Sequence, residues 1–212
     1  MTLEWQSKFE AWWNENGDHD DASHDLGHFQ RVYKLATEIS EGEGDSADNE
    51  VLLAASYFHD VVNPPKNSEL RSKASRLSAE KAKSILTEMG FPQEKIKPVM
   101  HAIEAHSFSA NIPAESDEAR ILQDADRMEA LGALGVARNM YVSALMGSKL
   151  FHPTDPMGKD RALDDSKYAL DHFELKLLKL PAMMQTDTGR KIAQERADFL
   201  RLFRKQLVRE VS

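Results

Sequence analysis

The adjacent residues His59 and Asp60 are of types, and in a place in the sequence, that suggest chemistry. They follow the apolar run Val51–Phe58 and precede Asn63-Pro64-Pro65, so they lie at the C-terminal end of a predicted buried helix. A carboxylate is unfavourable there because that end of the helix dipole is negative. Its burial requires a cation or several hydrogen-bond donors. A metal ion would compensate it, and simple hydrogen bonding at a helix end is the alternative.

Two more of the eight histidines are predicted to face the core. His28 lies four residues before Val32 and His106 lies three after Ile103, so each shares a helix face with apolar residues. His101 falls nearly opposite that face and is expected in solvent. A single inward histidine is usually a hydrogen-bonded core residue. Two of them, together with a His-Asp pair, form a candidate metal site with nitrogen and oxygen donors.

Two acids in the segment ILQDADRMEALGALGVAR are further candidates. Asp124 and Asp126 flank the apolar face that Ile121, Ala125 and Met128 form, so helical periodicity does not choose between them. Both could instead cap the helix or pair with nearby arginines. The residues alone leave this choice open.

The order of these residues resembles that of the HD-domain metal-dependent phosphohydrolase superfamily. The strings SHDLGHFQRV, YFHDVV, AIEAHSFS and ILQDADRMEALGALGVAR are similar to those of its small single-domain bacterial members, over nearly the whole chain. The resemblance implies an all-helical fold with a central metal ion. It also implies that His28, His59, Asp60 and Asp126 are the ligands, because the second acid of the DAD triplet is the ligand in that family.

The elements that must position these residues are predicted to be helices nearly throughout, which gives an all-α fold. The periodic segments run up to Gly17 and over residues 24–40, 49–62, 78–89, 96–103, 118–146, 166–180 and 189–211. We predict one domain over residues 1–212, a helical bundle of the HD type. Its metal-site core covers about 20–146, and the C-terminal helices 166–211 pack on that core. The loop 147–165, with Lys149, His152 and Lys159, is a candidate lid.

Composition limits the partners. The net charge of −8 argues against polymeric nucleic acid, because a duplex-binding surface needs a basic excess. There is no cysteine, no apolar run long enough to span a bilayer and no signal-peptide pattern near the start, so we expect a cytoplasmic protein without a membrane partner. Aromatic and Met-rich helical faces would permit a homodimer. A small phosphorylated substrate remains possible, because a metal and a few cations reverse the potential locally.

The expected chemistry is hydrolysis of a phosphoester or phosphoanhydride in a nucleotide or other small phosphorylated metabolite. One divalent ion (Mn, Mg, Fe, Ni or Zn) would polarise a phosphoryl oxygen and lower the pKa of a bound water. Asp60 and His106 are the candidate catalytic residues, with His106 as proton donor or phosphate contact. The candidates for substrate binding are Lys66, Arg127 and His24. Each could equally be a solvated or hydrogen-bonded side chain.

Two other functions remain as alternatives. One is a nucleotide-binding sensor without turnover, which an intact ligand set disfavours. The other is a two-metal oxygenase of the HD type, which needs further inward histidines, and His106 is the only good one. A ferritin-like di-metal bundle is disfavoured because the sequence contains no Glu-x-x-His.

Overall fold

The computed structural model describes residues 2–17, 25–64, 68–107 and 110–211. Within these ranges it contains α-helices and short 3₁₀ turns, with no β-strand and one isolated bridge between Lys149 and Tyr168. The all-α prediction is confirmed. The helices are α1 (Thr2–Asn16), α2 (Leu26–Gly42), α3 (Asn49–Phe58), α4 (Ala74–Glu88), α5 (Gln93–His106), α6 (Asp117–Arg127), α7 (Gly132–Leu145), α8 (Ala169–Leu175) and α9 (Asp187–Val211).

The chain divides into two compact units, residues 1–126 and 127–212. The first contains α1 to α5 and α6 up to Asp126, and the second contains α7 to α9. The single-domain arrangement that we inferred from the sequence stays a prediction. None of the described helices is long and apolar enough to cross a membrane.

Helix α3 is the centre of the first unit. It packs against α1, α2 and α5, while α4 packs against α5. Every residue of α3 from Glu50 to Phe58 is buried, as its apolar sequence predicts. The N-cap Asp48 accepts hydrogen bonds from the backbone N–H groups of Glu50 and Val51, which starts the helix. Lys95 of α5 contacts both Asp48 and Glu50 at 2.8 Å, which joins the two helices at this end.

An aromatic cluster holds the other end of α3, just before His59. The indole Nε1 of Trp13 donates a hydrogen bond to the Tyr57 carbonyl oxygen at 3.0 Å. The Trp13 ring stacks on Phe29 with centroids 4.5 Å apart, and Phe29 meets the His59 ring edge-on at 5.6 Å. Residues from α1, α2 and α3 thus hold His59 in position.

Three predicted helical segments differ most from the structure. The predicted helix over 166–180 is the shorter α8, followed by the separate 3₁₀ segment Leu177–Met183. Helix α3 ends at Phe58 rather than Val62, and the segment 118–146 is two helices separated by the 3₁₀ turn Met128–Ala130. Gly132 has φ +69°, a value that residues with a side chain rarely adopt, so the chain changes direction there. Ala- and Gly-rich composition favoured one long helix but did not show this break.

In the second unit, α7 packs against α8 and α9, and the 3₁₀ segment Leu177–Met183 packs against α8 and α9. The chain between α7 and α8 has no helix, in agreement with the predicted loop over 147–165. Arg161 of this loop forms a two-bond ion pair with the buried Asp171 of α8, at 2.6 and 2.7 Å. A bidentate pair of this kind orders the loop. Its role as a lid stays a prediction.

Candidate metal centre

Four helix ends of the first unit bring the candidate ligands together. His28 lies in the first turn of α2, and His59 and Asp60 directly follow α3. His106 is the last residue of α5, and Asp126 lies in the last turn of α6. Helix ends are suitable places for such residues, because the chain there has left the regular packing and can direct a side chain along the helix axis.

The polar atoms of this cluster lie within a few ångströms of one another. The Nε2 atoms of His28 and His59 are 3.2 Å apart. Asp126 Oδ1 lies 3.6 Å from His59 Nε2 and 3.8 Å from His28 Nε2. Asp60 Oδ2 lies 3.6 Å from His59 Nε2, and its Oδ1 lies 3.5 Å from His106 Nε2. Both carboxylates thus lie 3.6 Å from the same atom, His59 Nε2.

Backbone carbonyls orient two of the three imidazoles. His59 Nδ1 lies 2.9 Å from the Ser56 carbonyl oxygen, and His106 Nδ1 lies 2.6 Å from that of Ile103. Since a carbonyl only accepts, each Nδ1 must carry the proton. In the neutral ring, Nε2 then has a lone pair directed into the cluster. This second hydrogen bond is the usual way in which a metal-binding histidine is held.

Burial differs between the nitrogen and oxygen donors. His28, His59 and His106 are 1%, 0% and 6% exposed, whereas the side chains of Asp60 and Asp126 are 19% and 27% exposed. The histidines therefore form the inner wall of the centre, and the carboxylates form its open side.

The charges of the cluster are strongly coupled. Burial alone would lower the pKa of His59, but Asp60 first and then Asp126 outweigh it, so the pKa rises to about 9. Burial would likewise raise the pKa of Asp126, but the hydrogen bond and charge of His59 hold it well below the usual range. Without a cation, a proton on His59 thus offsets part of the negative charge of the two carboxylates.

The donor set fits a divalent metal ion. Ligand atoms of His28, His59 and Asp60 lie within 4.8 Å of one another, as do those of His59, His106 and Asp126. Donors about 2.0–2.2 Å from a common ion lie roughly 3–3.6 Å apart. The observed separations of 3.2–3.8 Å are close to this spacing. Mixed imidazole and carboxylate donors suit Mn, Fe, Ni, Zn or Mg.

Hydrogen bonds of two further side chains, Gln123 and Ser78, hold the chain near the cluster, and the sequence analysis did not single out either residue. Gln123 donates to the Ala105 carbonyl oxygen at 2.8 Å, which ties α6 to the last turn of α5 beside His106. Ser78 of α4 contacts both the N–H and the carbonyl of Val62, at 3.2 Å each, which holds the chain after Asp60. The sequence did contain a signal for the hydrogen bond of Gln123, because a glutamine stands within the buried face of α6.

The remaining predicted residues are placed as follows. Lys66 and His24 lie outside the described residues. Arg127 directly follows Asp126, and its Nη1 donates to the Met183 carbonyl oxygen at 3.0 Å, so part of its donor capacity is used inside the second unit. Asp124 is fully buried and belongs to neither candidate metal group. His101 also lies outside both groups and accepts a hydrogen bond from the Glu115 N–H.

In the first unit, helix ends bring three histidines and two aspartates together. These features define a class of protein, an all-helical domain with a candidate metal centre. The family model of the HD domain matches residues 25–131, which contain all five residues. The uncharacterised protein YpgQ of Bacillus subtilis is 32% identical over 197 residues, covering 91% of this chain and 86% of YpgQ. The chain therefore belongs to the HD-domain phosphohydrolase superfamily.

Solved structures of other proteins match this chain over nearly its full length. An HD-superfamily hydrolase from Bacillus thuringiensis matches with a TM-score of 0.75 and 30% identity, covering 99% of this chain and 98% of the other. The structure of B. subtilis YpgQ in complex with ADP matches with a TM-score of 0.74 and 31% identity, covering 97% of each chain. The prediction of a hydrolase family is confirmed at this level.

Proposed function

We propose that this protein is a metal-dependent phosphohydrolase that cleaves a phosphomonoester or pyrophosphate bond in a nucleotide or similar small metabolite. The observation that carries the proposal is the asymmetry of the metal centre. Buried imidazoles form its inner wall, and two partly exposed carboxylates form its outer side. A cation held between them would have protein donors on one side and an approach for substrate on the other.

His28, His59, Asp60 and Asp126 would hold the ion. When bound, a divalent cation polarises a phosphoryl oxygen and lowers the pKa of a bound water. The two carboxylates balance its charge, and the carbonyl-held ring of His59 keeps its lone pair in place. The buried wall of the site excludes bulk water from the reacting phosphate.

His106 is the proposed proton donor to the leaving group. Its Nδ1 is engaged by the Ile103 carbonyl, so Nε2 is the nitrogen that exchanges a proton at the site. Asp60 Oδ1, 3.5 Å away, accepts from Nε2 when the ring is protonated and orients it. Asp60 thus serves both the ion and the proton donor.

A nucleotide is favoured over other phosphate esters by the relative YpgQ, whose structure was solved with ADP. Lys66 and Arg127 follow proposed ligands closely in the sequence, so they would place positive charge near phosphate oxygens, and His24 lies four residues before His28 in the sequence. We propose these three as substrate-binding residues. The net charge of −8 supports a compact substrate over a long polyanion.

A screen of phosphate and pyrophosphate release tests this proposal. Nucleoside mono-, di- and triphosphates and sugar phosphates are incubated with the protein loaded in turn with Mn, Mg, Ni and Zn. We expect turnover of at least one nucleotide, loss on chelation and in Asp60→Asn, and retention in the matched control Asp117→Asn, a half-buried acid in the first turn of α6 that belongs to neither candidate metal group. Negligible activity is expected on duplex DNA and structured RNA.

The ADP complex of YpgQ also supports a second candidate, a sensor that binds nucleotide without cleaving it. Tight nucleotide binding without product release under any of the four metals would favour the sensor and reject the hydrolase. A two-metal oxygenase would instead show two bound metal equivalents per chain.

A further inference from the structure

The second unit contains a basic pocket that is built without any residue of the metal centre. It is an open pocket of about 600 Å³. Four segments line it: the loop that follows α7, helix α8, the 3₁₀ segment Leu177–Met183 and helix α9. Six cationic side chains and one carboxylate, Glu174, line it, although the whole chain has a net charge of −8. The cations are Lys159, Lys179, Arg201, Arg204, Lys205 and Arg209.

Four of these cations form one face of α9. Residues 201, 204, 205 and 209 follow helical spacing, so their side chains point in similar directions. The helix dipole favours cations only within the last turn, which accounts for Arg209 alone. Arg201 is paired with Asp198 at 2.7 Å. Within the described part of the chain, no carboxylate contacts the side chains of Lys159, Lys179, Lys205 or Arg209.

Arg204 is the one buried cation among those that line this pocket. Its side chain lines the pocket but is only 6% exposed overall. One guanidinium nitrogen, Nη1, is bonded to Glu174. The buried Nε has no hydrogen-bond partner among the described residues. Because this Nε is inaccessible from the pocket, Arg204 contributes a fixed positive charge to the wall and not a free donor.

The lining also has an apolar part. Met157, Leu178 and Val208 contribute to the wall between the cations. Pockets of this volume that combine an apolar wall with convergent charges are typical of small-molecule sites. Repulsion among unpaired cations is relieved most by a ligand with several negative charges close together.

We propose that the second unit has a separate binding site for a nucleoside polyphosphate, with phosphates on the cations and the base against the apolar wall. The site depends only on residues between 157 and 209. It contains none of the residues proposed to hold the metal, to catalyse or to bind substrate in the hydrolase, so it does not require that function to be correct.

The test is calorimetric titration of ATP into the full-length protein after metal removal by chelation. Phosphate binding at the metal centre depends on the cation, whereas binding in the second unit does not. We expect one ATP per chain, with affinity that falls as salt rises. Inorganic triphosphate should compete more weakly than ATP, and adenosine should not bind measurably.

Variants assign the binding to this pocket. Lys179→Ala and Lys205→Ala remove exposed side chains, so both should fold, and each should weaken ATP binding by about tenfold through loss of a charge-assisted contact. Lys191→Ala, an exposed lysine of α9 outside the pocket, should bind as the parent does. Equal ATP affinity in all three variants, or no binding below millimolar ATP, would overturn the proposal. Triphosphate binding as tightly as ATP would reject a nucleoside ligand.

Discussion

Replacing Asp126 by Asn removes one negative charge and one anionic donor from the metal centre while nearly preserving side-chain volume. Asp126 Oδ1 lies 3.6 Å from His59 Nε2 and 3.8 Å from His28 Nε2. It is one of two carboxylates in the cluster, so the change halves the anionic charge. Loss of an outer-shell partner typically weakens metal binding 10–100-fold, and a direct ligand should cost at least about 100-fold.

The assay is titration of metal-free protein with Mn²⁺, followed by elemental analysis after desalting. Asp124→Asn is the matched comparison, because Asp124 is fully buried on the same helix but outside both metal groups. Asp117→Asn controls for the loss of an acid at the surface. We expect Asp126→Asn to lose its metal and both comparison variants to keep it.

A second readout checks the cause. Asp60 and Asp126 raise the pKa of metal-free His59 to about 9, so NMR titration of Asp126→Asn should show a lower value. Full Mn²⁺ occupancy in Asp126→Asn together with an empty site in Asp124→Asn would refute our assignment of the acid. An unchanged pKa of His59 would refute the electrostatic account.

Three further predictions concern catalysis, pH and stability. His106→Gln should keep its metal and lose about 10²–10⁴-fold in kcat, because it removes the proton donor; loss of a second metal equivalent would point to a binuclear centre instead. The raised pKa of His59 means that it carries a proton below about pH 9 in the metal-free protein. Metal binding should therefore release a proton and strengthen as pH rises towards 9, then level off, which calorimetry in buffers of different ionisation enthalpy measures. An affinity independent of pH between 6 and 9 would contradict this. Trp13→Phe removes the hydrogen bond to the Tyr57 carbonyl and should lower the free energy of unfolding by about 1 kcal/mol in denaturant titration, whereas an unchanged midpoint would show that this bond adds nothing.

Helical periodicity predicted the inner wall of the site well. His28 and His106 were placed on core-facing sides by their spacing from apolar residues, and both are buried. The His-Asp pair after α3 was recognised because a carboxylate at a buried helix end needs compensation. These predictions depend on which face of a helix a residue occupies, and the sequence reports that directly.

Periodicity failed where the answer depends on how a helix ends. Helical periodicity does not distinguish Asp124 from Asp126 as a metal ligand, because both flank the same apolar face. In the structure Asp124 is fully buried, whereas Asp126 lies in the last turn, where its carboxylate reaches the histidines. The end of α6 is set by the 3₁₀ turn and by the positive φ of Gly132. Resemblance to a family, not spacing, selected Asp126, which lies in this cluster, and its role as a ligand stays a prediction.

The arrangement of the centre also explains why it should bind a cation strongly. Placing two carboxylates beside a fully buried imidazole is unfavourable unless positive charge is present. In the metal-free protein that charge is the proton on His59, and this proton occupies the lone pair that a metal needs. A divalent ion would supply twice the charge and would bind the lone pair itself, so its binding in place of the proton would gain Coulomb energy. The carbonyls of Ser56 and Ile103 keep His59 and His106 oriented in both states. Metal binding therefore exchanges one compensating charge for another within a framework that the helices have already built.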